Sequence, residues 1–170
     1  MLQKIVSGGQ TGVDMAALVA AWEVGLQTGG WVPADFKNEE GTIQQGLGLN
    51  PTPEDRSTYA RDLPRSLRTE WNVRDSDATL IIRLDSEEGT DNCKGTLFTE
   101  KAAAIYARPS LAILLPDQQQ TVDVLTWLDI HDVRILNVAG PSEGAQPGIQ
   151  QAAYDFLQKL FNEVIKRRSA

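Results

Sequence analysis

Short apolar runs rich in β-branched residues alternate along the chain with segments whose apolar positions recur every three or four residues. The runs are typical of buried strands, and the recurring positions are typical of helices with one buried face. The clearest run is Ala78–Leu84, which is nearly all apolar, as expected of a strand covered on both faces. Strand and helix patterns follow one another to the end of the chain, which predicts a parallel sheet with helices on both faces.

The boundaries of the predicted elements follow from these patterns. Strands are expected at residues 4–7, 26–32, 78–84, 110–115 and 134–138, and helices at 13–24, 67–73, 96–106, 122–130 and from Pro147 onward. Residues 34–62 show no regular spacing of apolar positions, which indicates a loop. A loop of that length in a compact domain is often a lid or a binding loop. We therefore predict one domain over residues 1–170, an α/β three-layer Rossmann-like open parallel sheet, with an irregular loop at about 34–62.

Composition narrows the classes of function. The formal net charge of -7 argues against nucleic-acid binding, because that binding depends on neutralising phosphates with lysine and arginine. No apolar run approaches the roughly 20 residues of a membrane span, and the N-terminus lacks the pattern of a secretory signal. The single cysteine, Cys93, excludes an internal disulfide and fits a reducing compartment. These features predict a cytoplasmic protein that binds neither nucleic acid nor membrane.

The fold class indicates where a ligand binds. In open parallel sheets, ligands lie outside the carboxyl ends of the strands, so the loops that leave strands carry the candidate residues. Three such loops are rich in glycine and hydroxyl side chains. The candidate ligand or phosphate contacts in them are Gly8, Gly9, Gln10, Thr11, Gly12, Asp14, Gly95, Thr96, Gly140, Pro141 and Ser142.

The first loop, SGGQTGVD, joins a strand to a helix. Its glycines let the backbone approach a ligand closely, and the amides of residues 12–14 are expected to be unpaired donors with partial positive charge. Thr11 and Asp14 also have the spacing of a capping box, so Asp14 is equally well explained as a helix cap. Gln10 has no such structural explanation, and its amide is expected to bind a polar edge of the ligand.

In the second loop, Gly95 and Thr96 begin a helix after a strand. Their amides and the Thr96 hydroxyl would bind a second anionic group, although Thr96 is also explained as an N-cap with Glu100 in the first turn. The neighbouring Cys93 is interpreted as a spectator. With one cysteine and one histidine far apart in the chain, neither a catalytic triad nor a histidine-rich metal site is predicted.

The third loop, NVAGPSEGAQPG, turns sharply off a strand at Gly140 and Pro141, and Ser142 follows. So many small and polar residues in succession favour ligand contact over a purely structural turn. By the same geometry, the charged stretch at residues 74–77 precedes its strand. It is expected at the opposite edge of the sheet, outside the site.

The segments SGGQTGVD, GGWVP, TEWNVRDSDATLII, KGTLFTEKAA and LNVAGPSEGAQPGI occur in this order over nearly the whole chain. In these segments the chain resembles the putative molybdenum carrier family, the circularly permuted branch of a Rossmann-like nucleotide-binding superfamily that includes the lysine-decarboxylase-like phosphoribohydrolases. The resemblance implies that the loops hold the molybdenum cofactor, a pterin with a phosphate tail, and protect it for transfer. It also implies a homo-oligomer, for which Leu157, Leu160 and Phe161 form a candidate face unless they belong to the core.

The chain departs from this family at positions that are usually basic. Met15 and Ser142 stand where arginine is usual, and Phe36 and Lys37 stand where a basic pair is usual. Each lost arginine removes charge-assisted hydrogen bonds worth about 1.5–3 kcal/mol each. The ligand is then less anionic or more weakly bound, or other cations compensate. The side chains expected to compensate from neighbouring loops are Arg56, Arg61 and Lys94.

Two functions from different classes follow from these observations. The first is a carrier that holds a small phosphorylated heterocycle, the molybdenum cofactor or a nucleotide, with Trp31 or Phe36 stacked on the ring. The second, implied by the resemblance, is a nucleotide phosphoribohydrolase in which Glu100 is the general base. The absence of an obvious nucleophile or metal-ligand set favours the carrier. A nucleotide-sensing protein is a third interpretation.

Overall fold

The computed structural model describes residues 1–43, 45–85, 94–116 and 120–169. The strands in these ranges are β1 (Lys4–Val6), β2 (Gln27–Val32), β3 (Lys37–Asn38), β4 (Gly41–Thr42), β5 (Leu49–Pro51), β6 (Ala78–Leu84), β7 (Ser110–Leu115) and β8 (Ile135–Ala139). The helices are α1 (Val13–Glu23), α2 (Ser66–Arg74), α3 (Lys94–Ile105), α4 (Gln120–Ile130) and α5 (Ile149–Ser169). None of these helices is long and apolar enough to cross a membrane.

Six of the strands form one open parallel sheet in the order β5-β2-β1-β8-β6-β7. The last strand in the chain, β8, is inserted between β1 and β6, with Leu136 opposite Ile5 on one side and Ala78 on the other. The carboxyl ends of β1, β8 and β6 therefore lie side by side at one edge of the sheet. The predicted α/β fold with an open parallel sheet and packed helices is confirmed.

A large core cluster lies between one face of the sheet and helices α1, α4 and α5. Alternate residues of β6 point into this cluster, and the residues between them face the side on which α2 and α3 pack against each other. The apolar stripe of α5 belongs to the core, because Leu157, Leu160 and Phe161 are each 0% exposed. The face suggested for a second copy is therefore used inside the protein.

Most element boundaries agree with the sequence pattern to within two residues. Helix α5 begins at Ile149 and not at Pro147, because the intervening Gly148 has a φ of 87°, which is incompatible with a helix. Residues 34–62, which show no period, contain the antiparallel hairpin β3–β4 and the parallel edge strand β5. Strands of two or three residues are too short to produce a periodic pattern.

Helix α2 is anchored by a buried carboxylate. Glu70 is buried and accepts a hydrogen bond from the Tyr106 phenol at 2.5 Å and another from the Ser57 hydroxyl. Burial and the bond to Glu70 raise the pKa of Tyr106 to about 12. These bonds tie α2 to the end of α3 and to the chain that precedes α2. They matter for function because α2 carries part of the site described below.

We expect Tyr106→Phe to lower the free energy of unfolding by about 1–3 kcal/mol, because it leaves one oxygen of the buried Glu70 carboxylate without its donor. Since the pKa of Tyr106 in the folded state is raised above its ordinary value of 10, the contribution of this phenol is fully present below pH 10. It is lost as the pH rises through about 12. Urea denaturation at neutral pH measures the effect.

The matched control is Tyr154→Phe. The Tyr154 phenol also donates to a glutamate, Glu23, at 2.6 Å, but it does so on the surface. Water replaces a lost partner there, so we expect little change in stability. Equal losses in the two variants would contradict the importance assigned to burial of Glu70.

Candidate functional site

A cavity of about 130 Å³ lies at the carboxyl ends of β1, β8 and β6. Each of the three predicted loops contributes to its wall, and so does α2. The lining residues are Gly8, Gln10 and Asp14 from the first loop, Gly95, Thr96 and Thr99 from the second, Asn137, Ala139, Gly140 and Ser142 from the third, and Arg68, Thr69 and Asn72 from α2. The predicted residues that belong to these loops but do not line the cavity are Gly9, Thr11, Gly12 and Pro141.

The cation that lines this cavity comes from α2. Nη1 of Arg68 donates to Oδ2 of Asp14 at 2.7 Å, and only 18% of the Arg68 side chain is exposed. A Cβ atom at position 8 would lie 1.6 Å from this Nη1, so Gly8 is needed for the guanidinium to pass over the first loop. Nε of Arg68 is buried and has no hydrogen-bond partner. Sequence reasoning missed Arg68 because it lies on a helix and not in a strand-exit loop.

The capping-box interpretation of the first loop is wrong. Helix α1 starts after Gly12, which makes no side-chain cap, and the Thr11 hydroxyl donates instead to Glu39 at 2.6 Å. The Asp14 carboxylate accepts from the backbone amide of Gln10 at 3.2 Å in addition to its bond with the guanidinium. Asp14 therefore fixes the conformation of the loop and the position of the arginine together.

The amides at the start of α1 are bonded within the protein. Gly12 donates to Oε1 of Gln150 at 2.8 Å, and Val13 donates to the carbonyl of Pro141 at 3.3 Å. The sequence-based prediction that the amides of residues 12–14 are unpaired is therefore wrong for residues 12 and 13. An anion at the start of α1 would need donors other than these two amides.

The side chain of Gln10 has a structural function that the sequence did not indicate. Its Oε1 accepts from the amides of Thr11 at 2.9 Å and Glu39 at 3.0 Å. Gln10 thus joins the first loop to the β3–β4 hairpin, where Asn38 also donates to the carbonyl of Gly9 at 3.1 Å. Gln10 lines the cavity, but its carbonyl oxygen is already used by these two amides.

The start of α3 carries a hydroxyl donor that the protein does not satisfy. The helix begins at Lys94, so Thr96 lies in its first turn and is not the N-cap that the sequence suggested. The Thr96 hydroxyl is buried, with 2% of the residue exposed, and it has no hydrogen-bond partner. By contrast, the Thr99 hydroxyl one turn later donates to the carbonyl of Gly95 at 3.0 Å. Gly95 and Thr96 both line the cavity at this end of α3.

The third loop closes the cavity with its backbone. A Cβ atom on Gly140 would lie 2.3 Å from the carbonyl oxygen of Ile82, so glycine is needed where this loop crosses β6. The Ser142 hydroxyl donates to Oε1 of Glu39 at 2.7 Å. The Glu143 carboxylate accepts from the amides of Gly148 at 2.6 Å and Gln150 at 2.9 Å, which lie on either side of the first residue of α5. The start of α5 is thus satisfied by the protein's own carboxylate.

The aromatic residues expected to stack on a ligand lie elsewhere. Trp31 donates from Nε1 to Asp75 at 2.8 Å and packs edge-on against Trp71. Neither Trp31 nor Phe36 lines the cavity, so stacking on either ring stays a prediction for a part of the ligand that extends beyond it. Asp75 belongs to the charged stretch that was expected outside the site, and it forms a 2.7 Å salt bridge with Arg74 there.

The loop sequences and the order of elements agree with a known family. The model of the circularly permutated YpsA SLOG family matches residues 5–161 of the chain. This chain belongs to the circularly permutated YpsA SLOG family. It is also similar to the crystal structure of a putative molybdenum carrier protein from Syntrophus aciditrophicus, with 36% sequence identity, a TM-score of 0.79 and coverage of 94% of both chains.

The chain is also similar in sequence to part of a longer curated protein. Ribose import ATP-binding protein RbsA 1 from Mesorhizobium japonicum is 28% identical over an alignment of 121 residues, and the match covers 69% of this chain. The chain spans 23% of that relative's length.

The substituted family positions lie in different surroundings. Met15 faces a groove between α1 and α5 and does not line the cavity, whereas Ser142 does.

The general base expected for the alternative function, Glu100, accepts a hydrogen bond from Arg83 at 2.8 Å and does not line the cavity. Cys93 lies outside the described residues. The cations expected to compensate do not line the cavity either; these are Arg56, Arg61 and Lys94.

Proposed function

We propose that this member of the SLOG family binds a small phosphorylated ligand at the start of α3 and carries it chemically unchanged. The observation that carries the proposal is the Thr96 hydroxyl, which is buried in the cavity wall without a partner. A buried polar group without a hydrogen bond costs roughly 1–3 kcal/mol. An oxygen of a bound phosphate would provide the missing partner and remove that cost.

The other groups around Thr96 suit a phosphate. Unpaired first-turn amides and the helix dipole make a helix start a favourable place for an anion, and Gly95 in that turn has no side chain to block approach. Arg68 lines the same cavity, and its buried Nε is a second unsatisfied donor. Its bond to Asp14 orients the guanidinium, which would then form charge-assisted hydrogen bonds with the phosphate.

The cavity favours binding over hydrolysis. Asp14 is the one carboxylate that lines it in the described part of the chain, and this carboxylate is already bonded to Arg68 and to the backbone of the first loop. A general base must reach the proton that it removes. Glu100 is bonded to Arg83 outside the cavity lining, so we propose a carrier and not a phosphoribohydrolase.

We propose the molybdenum cofactor as the cargo, with a nucleotide as the other candidate. The support is the 36% identical relative, which is described as a putative molybdenum carrier protein. The residues present fit the phosphate tail of such a cargo. Within residues 1–43, 45–85, 94–116 and 120–169 there is no group of three metal-binding side chains. We therefore propose that the protein grips the cargo through its phosphate and not through its metal.

The experiment is to purify the protein without added ligand, denature it and identify what it releases. The proposal predicts a phosphorylated pterin, detected by fluorescence and mass spectrometry, together with molybdenum by elemental analysis. Protein carrying Thr96→Val, prepared in parallel, is expected to release much less. A bound nucleotide that is converted to free base and ribose phosphate on incubation, but not by Glu100→Gln, would establish the hydrolase instead.

We also propose a cytoplasmic location and a homo-oligomer. The location is supported by the single cysteine of the sequence, which is typical of a reducing compartment. An oligomer would have to use a surface other than the apolar stripe of α5, which is buried in the core. Size-exclusion chromatography with light scattering measures the number of subunits.

A further inference from the structure

The carboxylate of Glu39 lies among hydrogen-bond donors from two strand-exit loops. Glu39 is in the turn of the β3–β4 hairpin. Its Oε2 accepts from the Thr11 hydroxyl at 2.6 Å and from the Gly144 amide at 3.3 Å, and its Oε1 accepts from the Ser142 hydroxyl at 2.7 Å. We call these three donors the Glu39 ring. Thr11 comes from the loop after β1 and the other two come from the loop after β8, which is the neighbouring strand.

The Glu39 ring is suited to an anion. Its hydrogen bonds, first of all the one from Thr11, lower the pKa of Glu39 below its ordinary value and keep the carboxylate charged. Hydroxyl and amide donors of this kind bind phosphoryl oxygens as well as carboxylates. The three donors therefore form a site suited to an oxyanion, and the Glu39 carboxylate occupies it.

This site adjoins the cavity in which we place the phosphate. Ser142 belongs both to the Glu39 ring and to the lining of the cavity. Gln10 also lines the cavity, and it accepts a hydrogen bond from the backbone amide of Glu39 at 3.0 Å. A ligand bound at the start of α3 would thus have a second anion site beside it, with the Ser142 side chain shared between the two.

We propose that the Glu39 ring is a second anion subsite, and that the Glu39 carboxylate fills it until a second anionic group of the ligand takes its place. This inference rests on the proposed function, because the first anionic group is the one held at the start of α3. It narrows the ligand class to small molecules with two anionic groups, such as a diphosphate or a phosphate with a carboxylate.

The hairpin tip is attached in a way that allows this exchange. Strands β3 and β4 have two residues each, and the tip is joined to the first loop by the Glu39 bonds and by Asn38, which donates to the carbonyl of Gly9 at 3.1 Å. The buried apolar residue next to the hairpin is Ile43, which follows β4 and is 2% exposed. In the proposed exchange, residues 37–42 would lift while Ile43 remains packed.

The test compares inorganic pyrophosphate, which has two linked anionic groups, with inorganic phosphate, which has one. Isothermal titration is carried out on the wild type, on Glu39→Gln and on Glu40→Gln. Glu40 is the matched control because it lies in the same turn and its replacement changes the net charge equally. We expect Glu39→Gln to bind pyrophosphate roughly tenfold more tightly, since a neutral amide competes less well than a carboxylate for the three donors. We expect Glu40→Gln to resemble the wild type.

Hydrogen–deuterium exchange supplies a second measurement on the wild type. Pyrophosphate should speed the exchange of amides in residues 37–42, whereas phosphate should not. Equal affinities for pyrophosphate in Glu39→Gln and Glu40→Gln, or exchange that pyrophosphate does not alter, would refute the second subsite.

The two proposals fail in different ways. Phosphate binding that Thr96→Val does not weaken would refute the proposed function. The pyrophosphate gain of Glu39→Gln over Glu40→Gln depends on the Glu39 ring alone, so its absence would refute the second subsite while phosphate binding at α3 stands.

Discussion

Replacing Arg68 with methionine is expected to weaken the binding of inorganic phosphate by about one to two orders of magnitude. The guanidinium is the cation that lines the cavity in the described ranges, and hydrogen bonds to charged groups contribute about 1.5–3 kcal/mol each. The variant should also be less stable by about 3 kcal/mol, because Asp14 is left buried without its charged partner. Isothermal titration and urea denaturation measure the two effects separately.

Two further variants separate binding from folding. The double variant Arg68→Met with Asp14→Asn removes the uncompensated charge, so it should regain stability but not affinity. Arg61→Met removes an equal charge from an exposed residue outside the cavity and should bind phosphate as the wild type does. If Arg61→Met and Arg68→Met weaken binding to the same extent, Arg68 acts only through the net charge and our assignment is wrong.

The second large effect is expected for Thr96→Val, which should weaken phosphate binding by about tenfold or more. The replacement keeps the shape of the side chain and removes the hydroxyl that would bond the phosphate. Because this hydroxyl has no partner in the protein, its loss should leave the free energy of unfolding unchanged or raise it. A substitution that impairs binding without impairing folding is the signature of a group reserved for a ligand.

Thr99→Val is the matched control for this prediction. Thr99 lies in the same helix and has the same 2% exposure, but its hydroxyl already donates to the carbonyl of Gly95. Its replacement should cost about 1 kcal/mol of stability and change the affinity much less. A destabilised Thr96→Val that binds phosphate normally would show that the hydroxyl serves the fold.

The sequence predicts the central layer of this fold well. The bounds of β6 and β7 agree with the predicted ones to the residue, because both strands are nearly continuous apolar runs in the middle of the chain. The hairpin β3–β4 and the strand β5 escape prediction because two or three residues carry no period. The insertion of β8 between β1 and β6 is a long-range pairing that no local pattern encodes.

The sequence also indicates which loops meet at the cavity, but not which of their donors are free. The glycine and hydroxyl residues that follow β1, β6 and β8 predicted three loops that do contribute residues to one cavity. The amide of Gly12, however, is bonded to Gln150, which lies 138 residues further along the chain. Such pairing depends on the packing of α5 beside α1 and cannot be read from a short motif.

Three carboxylates explain why so few donors remain for a ligand. Asp14, Glu39 and Glu143 accept hydrogen bonds from the first loop, the third loop and the start of α5. The resemblance to the putative molybdenum carriers drew attention to the arginines that are missing at Met15 and Ser142. The structure adds that the protein's own acidic side chains accept many of the hydrogen bonds that these loops offer. The Thr96 hydroxyl at the start of α3 has no partner within the protein.

The measurement that tests this account most directly is a titration of ¹⁵N-labelled protein with inorganic phosphate, followed through the backbone amide resonances. Our account predicts that Gly95 and Thr96 shift most, that the shifts saturate, and that Thr96→Val weakens the response about tenfold or more. Shifts confined to amides elsewhere, or shifts at Gly95 and Thr96 that do not saturate, would contradict a phosphate site at the start of α3.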